Sequence, residues 1–124
     1  MKFIIADDHP LFREALSGAL SPLFEGLEVL EAESTDALIK LLARSKDVDL
    51  LLLDLSMPGA NWFETLATVK ERYPALPIVM VSANDDIDVI SQTITLGAKG
   101  YITKATPTKI IAEAINTVLS GEQW

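Results

Sequence analysis

Three aspartates directly follow short apolar runs, and carboxylates in such positions can bind a cation or attack a phosphoryl group. Asp7 and Asp8 come after Phe3–Ala6, and Asp54 comes after Leu50–Leu53. If the two runs are neighbouring strands of a parallel sheet, the three carboxylates meet beyond the strand ends. Close carboxylates repel one another unless protons or a cation lie between them. Because Mg²⁺ binds a few carboxylates and keeps several waters, the pattern predicts a Mg²⁺ site.

A hydroxyl and an ammonium follow two further apolar runs. Ser82 comes after Ile78–Val81, and Lys104 comes shortly after Tyr101–Ile102. Facing a metal-bound carboxylate, such groups can stabilise the oxygens of a phosphoryl group during transfer. A carboxylate nucleophile would then form an aspartyl phosphate. The spacing alone does not select one of the three aspartates as that nucleophile.

The same residues also have simpler structural interpretations. Asp7 and Asp8 can cap a helix that begins near His9 and Pro10, and Lys104 can be a plain counter-charge. His9 is the only histidine of the chain. Because Mg²⁺ prefers oxygen ligands, we interpret His9 as a residue of the first helical turn and not as a metal ligand.

Strand-like and helix-like segments alternate along the chain and would position these side chains. Five short apolar runs are separated by segments with helical spacing, which predicts an α/β fold with a parallel sheet between two helical layers. Leu27–Ala32 carries glutamates and is typical of an edge strand. The runs that hold Asp54 and Ser82 at their ends lack polar alternation, as expected of strands buried on both faces.

Apolar stripes define five helices. Prolines fit their boundaries, with Pro10 in a first turn and Pro22 after the first helix. The polar residues Asp36, Asn84, Asp85 and Asp86 suit helix starts, and this capping role explains the acidic Asp85–Asp88 cluster. The stripes are formed by Phe12, Ala15, Leu16, Ala19 and Leu20; Ala37, Leu38, Leu41 and Leu42; Phe63, Leu66, Ala67 and Lys70; Ile87, Ile90 and Ile94; and Ile110, Ile111, Ala114, Ile115, Val118 and Leu119.

Composition excludes several classes of protein. The chain has 124 residues, 49% hydrophobic and 23% charged, which fits one folded domain and not a disordered segment. The lack of cysteine excludes disulfides and thiolate sites, and a single histidine excludes sites that need two imidazoles. Without a long apolar run, we expect a cytoplasmic protein with no membrane segment. A formal charge of −8 disfavours direct binding to nucleic acid.

Four segments together resemble the receiver domain of two-component response regulators. They are Ile5–Arg13, Leu52–Gly59, Val81–Ala83 and Gly97–Lys104, and they occur in the family's order at the predicted strand ends. The Asp-Asp-His-Pro opening is similar to the subclass with a LuxR-type helix-turn-helix output domain. The resemblance covers nearly the whole chain. It implies a single doubly wound (βα)5 three-layer sandwich over residues 1–124, with the flavodoxin-like strand order 2-1-3-4-5.

The resemblance also implies a role for each site residue. Asp54 matches the phosphoacceptor, and Asp7 and Asp8 match the acidic pair that helps to hold Mg²⁺. The main-chain carbonyl of Ser56 matches the position that completes the metal shell.

Three further matches concern the phosphoryl group and the switch. Ser82 and Lys104 match the residues that contact the phosphoryl group, and Ser82 and Tyr101 match the switch pair. The donor would be a phosphohistidine on a sensor histidine kinase. The receiver would catalyse its own Mg²⁺-dependent phosphorylation and its slow dephosphorylation without being a metabolic enzyme.

The subclass implies a transcription regulator. Its C-terminal DNA-binding output domain would be absent from this chain, and the receiver would control it by covering it or by forming a homodimer. The alternative is a stand-alone receiver that relays phosphate or acts as a phosphorylation-independent interaction module.

Two other classes fit less well, and one residue departs from the family pattern. A haloacid dehalogenase-type phosphatase expects a second aspartate where this chain has Ser56. A flavodoxin-like flavin module expects a phosphate loop where this chain has an acidic pair. The receiver family often has glycine where this chain has Trp62, which we interpret as a packing residue.

Overall fold

Strands and helices alternate through the computed structural model, which describes residues 1–58, 61–83 and 86–124. A short 3₁₀ helix, Ser21–Leu23, follows the first helix and contains Pro22, so the α-helix ends before that proline. The other elements are β1 (Lys2–Ala6), α1 (Pro10–Leu20), β2 (Glu28–Ala32), α2 (Thr35–Arg44), β3 (Leu50–Asp54), α3 (Trp62–Arg72), β4 (Ile78–Ser82), α4 (Ile87–Thr95), β5 (Gly100–Thr103) and α5 (Thr108–Leu119).

The five strands form one parallel sheet in the order β2-β1-β3-β4-β5. This order confirms the doubly wound topology predicted from the sequence. β3 and β4 are buried along their whole length, whereas β2 is an edge strand and is partly exposed. The absence of polar alternation in β3 and β4 therefore identified strands with a helical layer on each face.

Alternate strand residues point to opposite faces and build two cores. One core lies under α2, α3 and α4, and the other lies under α1 and α5. The buried strand residues of the first core are Ile4, Ala6, Ala32, Leu51, Leu53, Ile78 and Met80. Those of the second core are Phe3, Ile5, Leu50, Leu52, Val79, Val81 and Ile102.

The buried face of α3 differs from the predicted stripe. Thr65, Leu66 and Val69 are buried, but Phe63 and Ala67 are exposed. Apolar residues lie on several sides of this helix, so the periodicity of the sequence alone did not determine which face packs against the sheet.

The buried face of α4 also differs from the three-isoleucine stripe predicted for it. Ile87 is 77% exposed, whereas Thr93 is fully buried. Val89 and Ile94 pack against the core under α2, α3 and α4. The helix is short and apolar on more than one side, so only its packing against the sheet selects the buried face.

Polar side chains cap helices where the sequence suggested helix starts. Ser34 accepts a hydrogen bond from the first turn of α2, and Asp86 accepts one from the Asp88 N–H at the start of α4. The predicted capping role of Asp86 is therefore confirmed. Asn84 and Asp85, which were assigned the same role, lie outside the described residues.

The helices are short compared with a bilayer. The longest, α5, has 12 residues, whereas a membrane span needs about 20. Within residues 1–58, 61–83 and 86–124, we find no helix with the length and apolarity to cross a membrane.

Candidate functional site

The aspartates at the ends of β1 and β3 converge at the carboxyl end of the sheet. Ala6 lies beside Leu53 in the parallel register, so Asp7 and Asp54 are carried by adjacent strands. Asp7 is 1% exposed and Asp54 3% exposed, and Asp8 is half-buried next to them. The point where strand order reverses is the usual ligand site of such sheets. The predicted convergence of the three carboxylates is confirmed.

Hydrogen bonds to the Asp7 backbone fix this residue relative to β2. Its N–H donates to the Ala32 carbonyl at 2.9 Å, and Arg13 Nη1 donates to the Asp7 carbonyl at 2.6 Å. Arg13 Nε donates in turn to Glu31 Oε1 at 2.9 Å. These contacts fix the end of β1 relative to β2 and leave the Asp7 side chain free to face β3.

The acidic pair directly precedes the N-terminus of α1. The N-cap of α1 is His9, whose side chain makes no capping hydrogen bond. The Asp7 carboxylate accepts a hydrogen bond from the His9 N–H at 2.8 Å, one residue before the first helical turn. Asp7 therefore bonds to the N-cap residue of α1 and is not itself the N-cap.

Lys104 reaches the aspartates from the end of β5. Its N–H donates to the Ser82 carbonyl at 2.8 Å, which ties the residue to the end of β4. Its Nζ lies 2.8 Å from Asp7 Oδ2 and 3.6 Å from Asp54 Oδ2, and it sits 4.8 Å above the Phe12 ring. Lys104 thus neutralises part of the acidic charge, and its closest carboxylate is that of Asp7.

The His9 ring lies among the same carboxylates. Its Nδ1 is 2.9 Å from Asp7 Oδ1, 3.1 Å from Asp8 Oδ1 and 4.0 Å from Asp54 Oδ2. The same nitrogen lies 3.1 Å from Lys104 Nζ. His9 is thus the N-cap of α1, one residue before the predicted first-turn position, and its side chain belongs to the acidic pocket.

One oxygen of each aspartate has no hydrogen-bond partner. These buried oxygens are Asp7 Oδ2, Asp8 Oδ1 and Asp54 Oδ2. Two of these oxygens still take part in ion-pair contacts, Asp7 Oδ2 with Lys104 Nζ at 2.8 Å and Asp8 Oδ1 with His9 Nδ1 at 3.1 Å. Among the described residues, Asp7, Asp8, His9 and Asp54 offer ligand atoms within 4.8 Å of one another. Converging oxygens without partners fit a hard divalent cation.

The pocket raises the pKa of Asp54 above its usual value of 3.8. Burial is the main cause, and the neighbouring Asp7 carboxylate adds to it. The Lys104 ammonium and the Ser56 N–H, which donates to the carboxylate, act in the opposite direction. Without a bound cation, the ionised form of Asp54 is therefore a cost to the folded state.

We expect the Asp54→Asn variant to be more stable than the native chain at neutral pH in metal-free buffer. An acid with a raised folded pKa contributes stability that is fully present below its unfolded pKa and is lost as the pH rises through the folded pKa. Asparagine keeps the shape without the charge, so its advantage should shrink as the pH falls toward 3.8. Urea unfolding across this pH range measures the difference, and an Asn variant that is less stable at neutral pH would contradict the assignment.

Ser56, Ser82 and Tyr101 lie near the pocket in different surroundings. Ser56 is exposed in the loop after β3, with its N–H on the Asp54 carboxylate. Ser82 is 1% exposed at the end of β4 and is in register with Thr103. Tyr101 is half-buried on β5 and packs against the core under α2, α3 and α4. The sheet thus places the predicted switch pair on adjacent strands.

Trp62 packs at the start of α3. It is half-buried against the core on that face, and its ring meets the Phe63 ring edge-on, with centroids 5.7 Å apart. This position agrees with the packing interpretation of Trp62.

The sequence did not predict the contacts that three residues make around the pocket. They are His9, which enters the acidic cluster, Arg13, which holds the Asp7 backbone, and Phe12, which lies under the Lys104 ammonium. All three belong to Ile5–Arg13, one of the four segments that resemble the receiver family. This resemblance was the sequence signal that could have identified them as residues of the pocket. Their side-chain directions depend on tertiary structure and not on spacing.

The fold and pocket define a doubly wound α/β domain with an acidic ligand site at its switch point. The family model described as the response regulator receiver domain matches residues 3–116. The chain belongs to this family, and it is a receiver domain of two-component response regulators. The resemblance inferred from the sequence is confirmed.

Two curated relatives of this chain are named as an activator and as a response regulator. The chain is 43% identical over 123 residues to the glycerol metabolism activator of Pseudomonas putida, with 99% of this chain and 56% of that protein covered. It is 33% identical over 119 residues to the nitrate/nitrite response regulator NarL of Escherichia coli, with 96% and 55% covered. The chain therefore spans about half the length of these relatives.

Solved structures have the same fold. The isolated receiver domain of RcsB from Salmonella enterica serovar Typhimurium, determined with the phosphomimetic BeF₃⁻, superposes with a TM-score of 0.91 at 28% identity. The match covers 100% of this chain and 91% of that one.

Proposed function

We propose that this receiver domain is a phosphorylation-controlled switch and that it accepts a phosphoryl group on Asp54 from a sensor histidine kinase. The observation that carries the proposal is the buried Asp54 carboxylate, whose Oδ2 has no hydrogen-bond partner and faces a lysine. The opposing Asp7 and Asp8 carboxylates belong to the neighbouring strand end. This arrangement suits a nucleophile that reacts beside a cation.

Asp7, Asp8 and Asp54, with the main-chain carbonyl of Ser56, would hold Mg²⁺. The buried oxygens without hydrogen-bond partners support this assignment, because the donor set is hard and anionic. When bound, Mg²⁺ neutralises negative charge on the transferred phosphoryl group and on the carboxylates.

Each residue of the pocket would have its own role in the transfer of the phosphoryl group. An Asp54 carboxylate oxygen attacks phosphorus, the new O–P bond forms, and the N–P bond to the donor imidazole breaks, with its electron pair staying on that nitrogen. The Lys104 ammonium and the Ser82 hydroxyl donate hydrogen bonds to phosphoryl oxygens. Slow attack by water on the aspartyl phosphate would reset the domain.

Phosphorylation would act on β4 and β5. The phosphoryl group adds charge that Ser82 and Lys104 can bind. Ser82 and Tyr101 lie on paired strands, so a shift of Ser82 toward the phosphoryl group would change the packing of Tyr101. A surface that includes β5 would then differ between the two states.

The switch would serve transcription in the full-length protein. Relatives include a transcriptional activator of Pseudomonas putida, ExaE, and we propose that this receiver likewise controls a DNA-binding output domain in the cytoplasm. The chain itself has a formal charge of −8, which disfavours contact with a phosphate backbone. Homodimerisation of the phosphorylated receiver is one means of control.

We expect the chain to gain a single phosphoryl group when it is incubated with Mg²⁺ and acetyl phosphate or a phosphohistidine donor. Intact mass spectrometry measures the gain, and a matched sample with a metal chelator should stay unmodified. A chain that stays unmodified with both donors at saturating Mg²⁺ would overturn the proposal in favour of a phosphorylation-independent interaction module.

A further inference from the structure

We propose that His9 makes the acidic pocket a mixed nitrogen and oxygen site, which binds transition-series divalent cations such as Mn²⁺, Co²⁺ and Ni²⁺ more tightly than Mg²⁺. The proposal rests on the proposed function, because it concerns the same pocket. It assigns His9, the only histidine of the chain, as the residue that sets cation selectivity.

The His9 ring nitrogen lies close enough to the three carboxylates to share an ion with them. His9 Nδ1 and one carboxylate oxygen from each of Asp7, Asp8 and Asp54 lie within 4.8 Å of one another. Ligand atoms on opposite sides of an octahedral ion with bonds of about 2.1 Å are roughly 4 Å apart. A small contraction of the group is therefore enough for one ion to contact all four residues.

A second observation points to a ligand in the pocket. The Asp54 side chain is 1% exposed, and its Oδ2 has no hydrogen-bond partner. That oxygen lies 4.0 Å from His9 Nδ1 and 3.6 Å from Lys104 Nζ. A buried anionic oxygen without a hydrogen bond is costly, and coordination to a cation would remove that cost.

The local backbone directs the ring into the pocket and leaves it able to adjust. His9 precedes Pro10 at the start of α1 in an extended conformation, with φ −98° and ψ 100°. Its N–H is fixed on the Asp7 carboxylate, and its side chain makes no helix-capping hydrogen bond. Because the side chain is 61% exposed, the ring can shift toward an ion without disturbing the core.

The chemistry of the donors sets the selectivity. An imidazole nitrogen suits Mn²⁺, Co²⁺ and Ni²⁺, whereas Mg²⁺ strongly prefers oxygen and retains its waters. Divalent first-row affinities at a mixed nitrogen and oxygen site rise from Mn²⁺ to Ni²⁺. The His9 contribution should therefore be largest for Ni²⁺ and smallest for Mg²⁺.

Titration calorimetry on the untagged full chain tests the proposal with Ni²⁺ and Mg²⁺ as probes. In His9→Ala, we expect the ratio of Ni²⁺ affinity to Mg²⁺ affinity to fall by about tenfold or more. The Leu11→Ala variant is the matched control, because Leu11 is 82% exposed two residues further along the chain. Its affinity ratio should equal that of the native chain.

A spectroscopic measurement separates coordination from an indirect effect of the ring. With ¹⁵N-labelled imidazole and bound Mn²⁺, electron spin-echo modulation should show a directly coordinated nitrogen, and in this chain that signal can come only from His9. An unchanged affinity ratio in His9→Ala, or higher affinity for both cations, would overturn the proposal. The second result would make the ring a competitor of the ion. Mg²⁺-dependent phosphorylation of the native chain decides the proposed function separately.

Discussion

The Asp54→Asn variant should take up no phosphoryl group from acetyl phosphate and Mg²⁺ under conditions that label the native chain fully. The amide lacks the anionic oxygen that must attack phosphorus, so the loss should be complete and not a reduced rate. Intact mass over a time course measures it. Asp54 is buried among residues that contact it from three strand ends, and asparagine fits the same space, so the variant should fold.

Two comparisons make this result specific to Asp54. Asp36→Asn is the matched control, because Asp36 is an exposed carboxylate in the first turn of α2 and should leave labelling unchanged. Peptide mapping of the native chain should place the label on Asp54. A label on Asp7 or Asp8, or equal labelling of Asp54→Asn, would assign the nucleophile to another aspartate of the pocket.

The sequence pattern predicted the parallel α/β architecture because each level of the pattern gave the same answer. Short apolar runs such as Leu50–Leu53 and Ile78–Val81 lack polar alternation, and only strands covered on both faces tolerate that composition. Alternation with helical segments then requires right-handed crossovers. The convergence of Asp7 and Asp54 also required β1 and β3 to be neighbours, and that strand order was implied by the resemblance to the receiver family.

The sequence did not predict which face α3 and α4 bury. Phe63 and Ile87 are exposed although both are large and apolar. In short helices with apolar residues on several sides, the burial free energies of alternative faces are similar, and the fit against the sheet decides between them. That fit depends on residues far away in the sequence.

The polar contacts inside the pocket could not be predicted from the periodicity of the sequence either. The sequence placed Lys104 at the site, but the closer approach to Asp7 depends on the relative positions of β1, β3 and β5. The entry of the His9 ring depends on its rotamer and on the extended backbone before Pro10. Spacing identifies which strand ends meet, whereas distances of a few ångströms between side chains follow from packing.

The loss of Lys104 should strongly destabilise the metal-free domain. Lys104→Met keeps an unbranched apolar stem on the Phe12 ring but removes the ammonium 2.8 Å from Asp7 and 3.6 Å from Asp54. Removing one partner of a buried ion pair leaves uncompensated charge and costs about 3–5 kcal/mol. Urea unfolding at neutral pH measures the loss in the free energy of unfolding.

The loss of stability in Lys104→Met should depend on pH, and the charges of the pocket determine the direction of that dependence. The Lys104 ammonium lowers the pKa of Asp54, so Lys104→Met should raise that pKa further above its usual value. The difference in unfolding free energy from the native chain should therefore be largest at neutral pH and should shrink on acidification as Asp54 takes up a proton. Lys109→Met, a change at an exposed lysine of α5, is the matched control and should alter stability by less than about 0.5 kcal/mol. A Lys104→Met variant with native stability at neutral pH, or with a loss that does not vary with pH, would mean that Lys104 does not neutralise the buried aspartates.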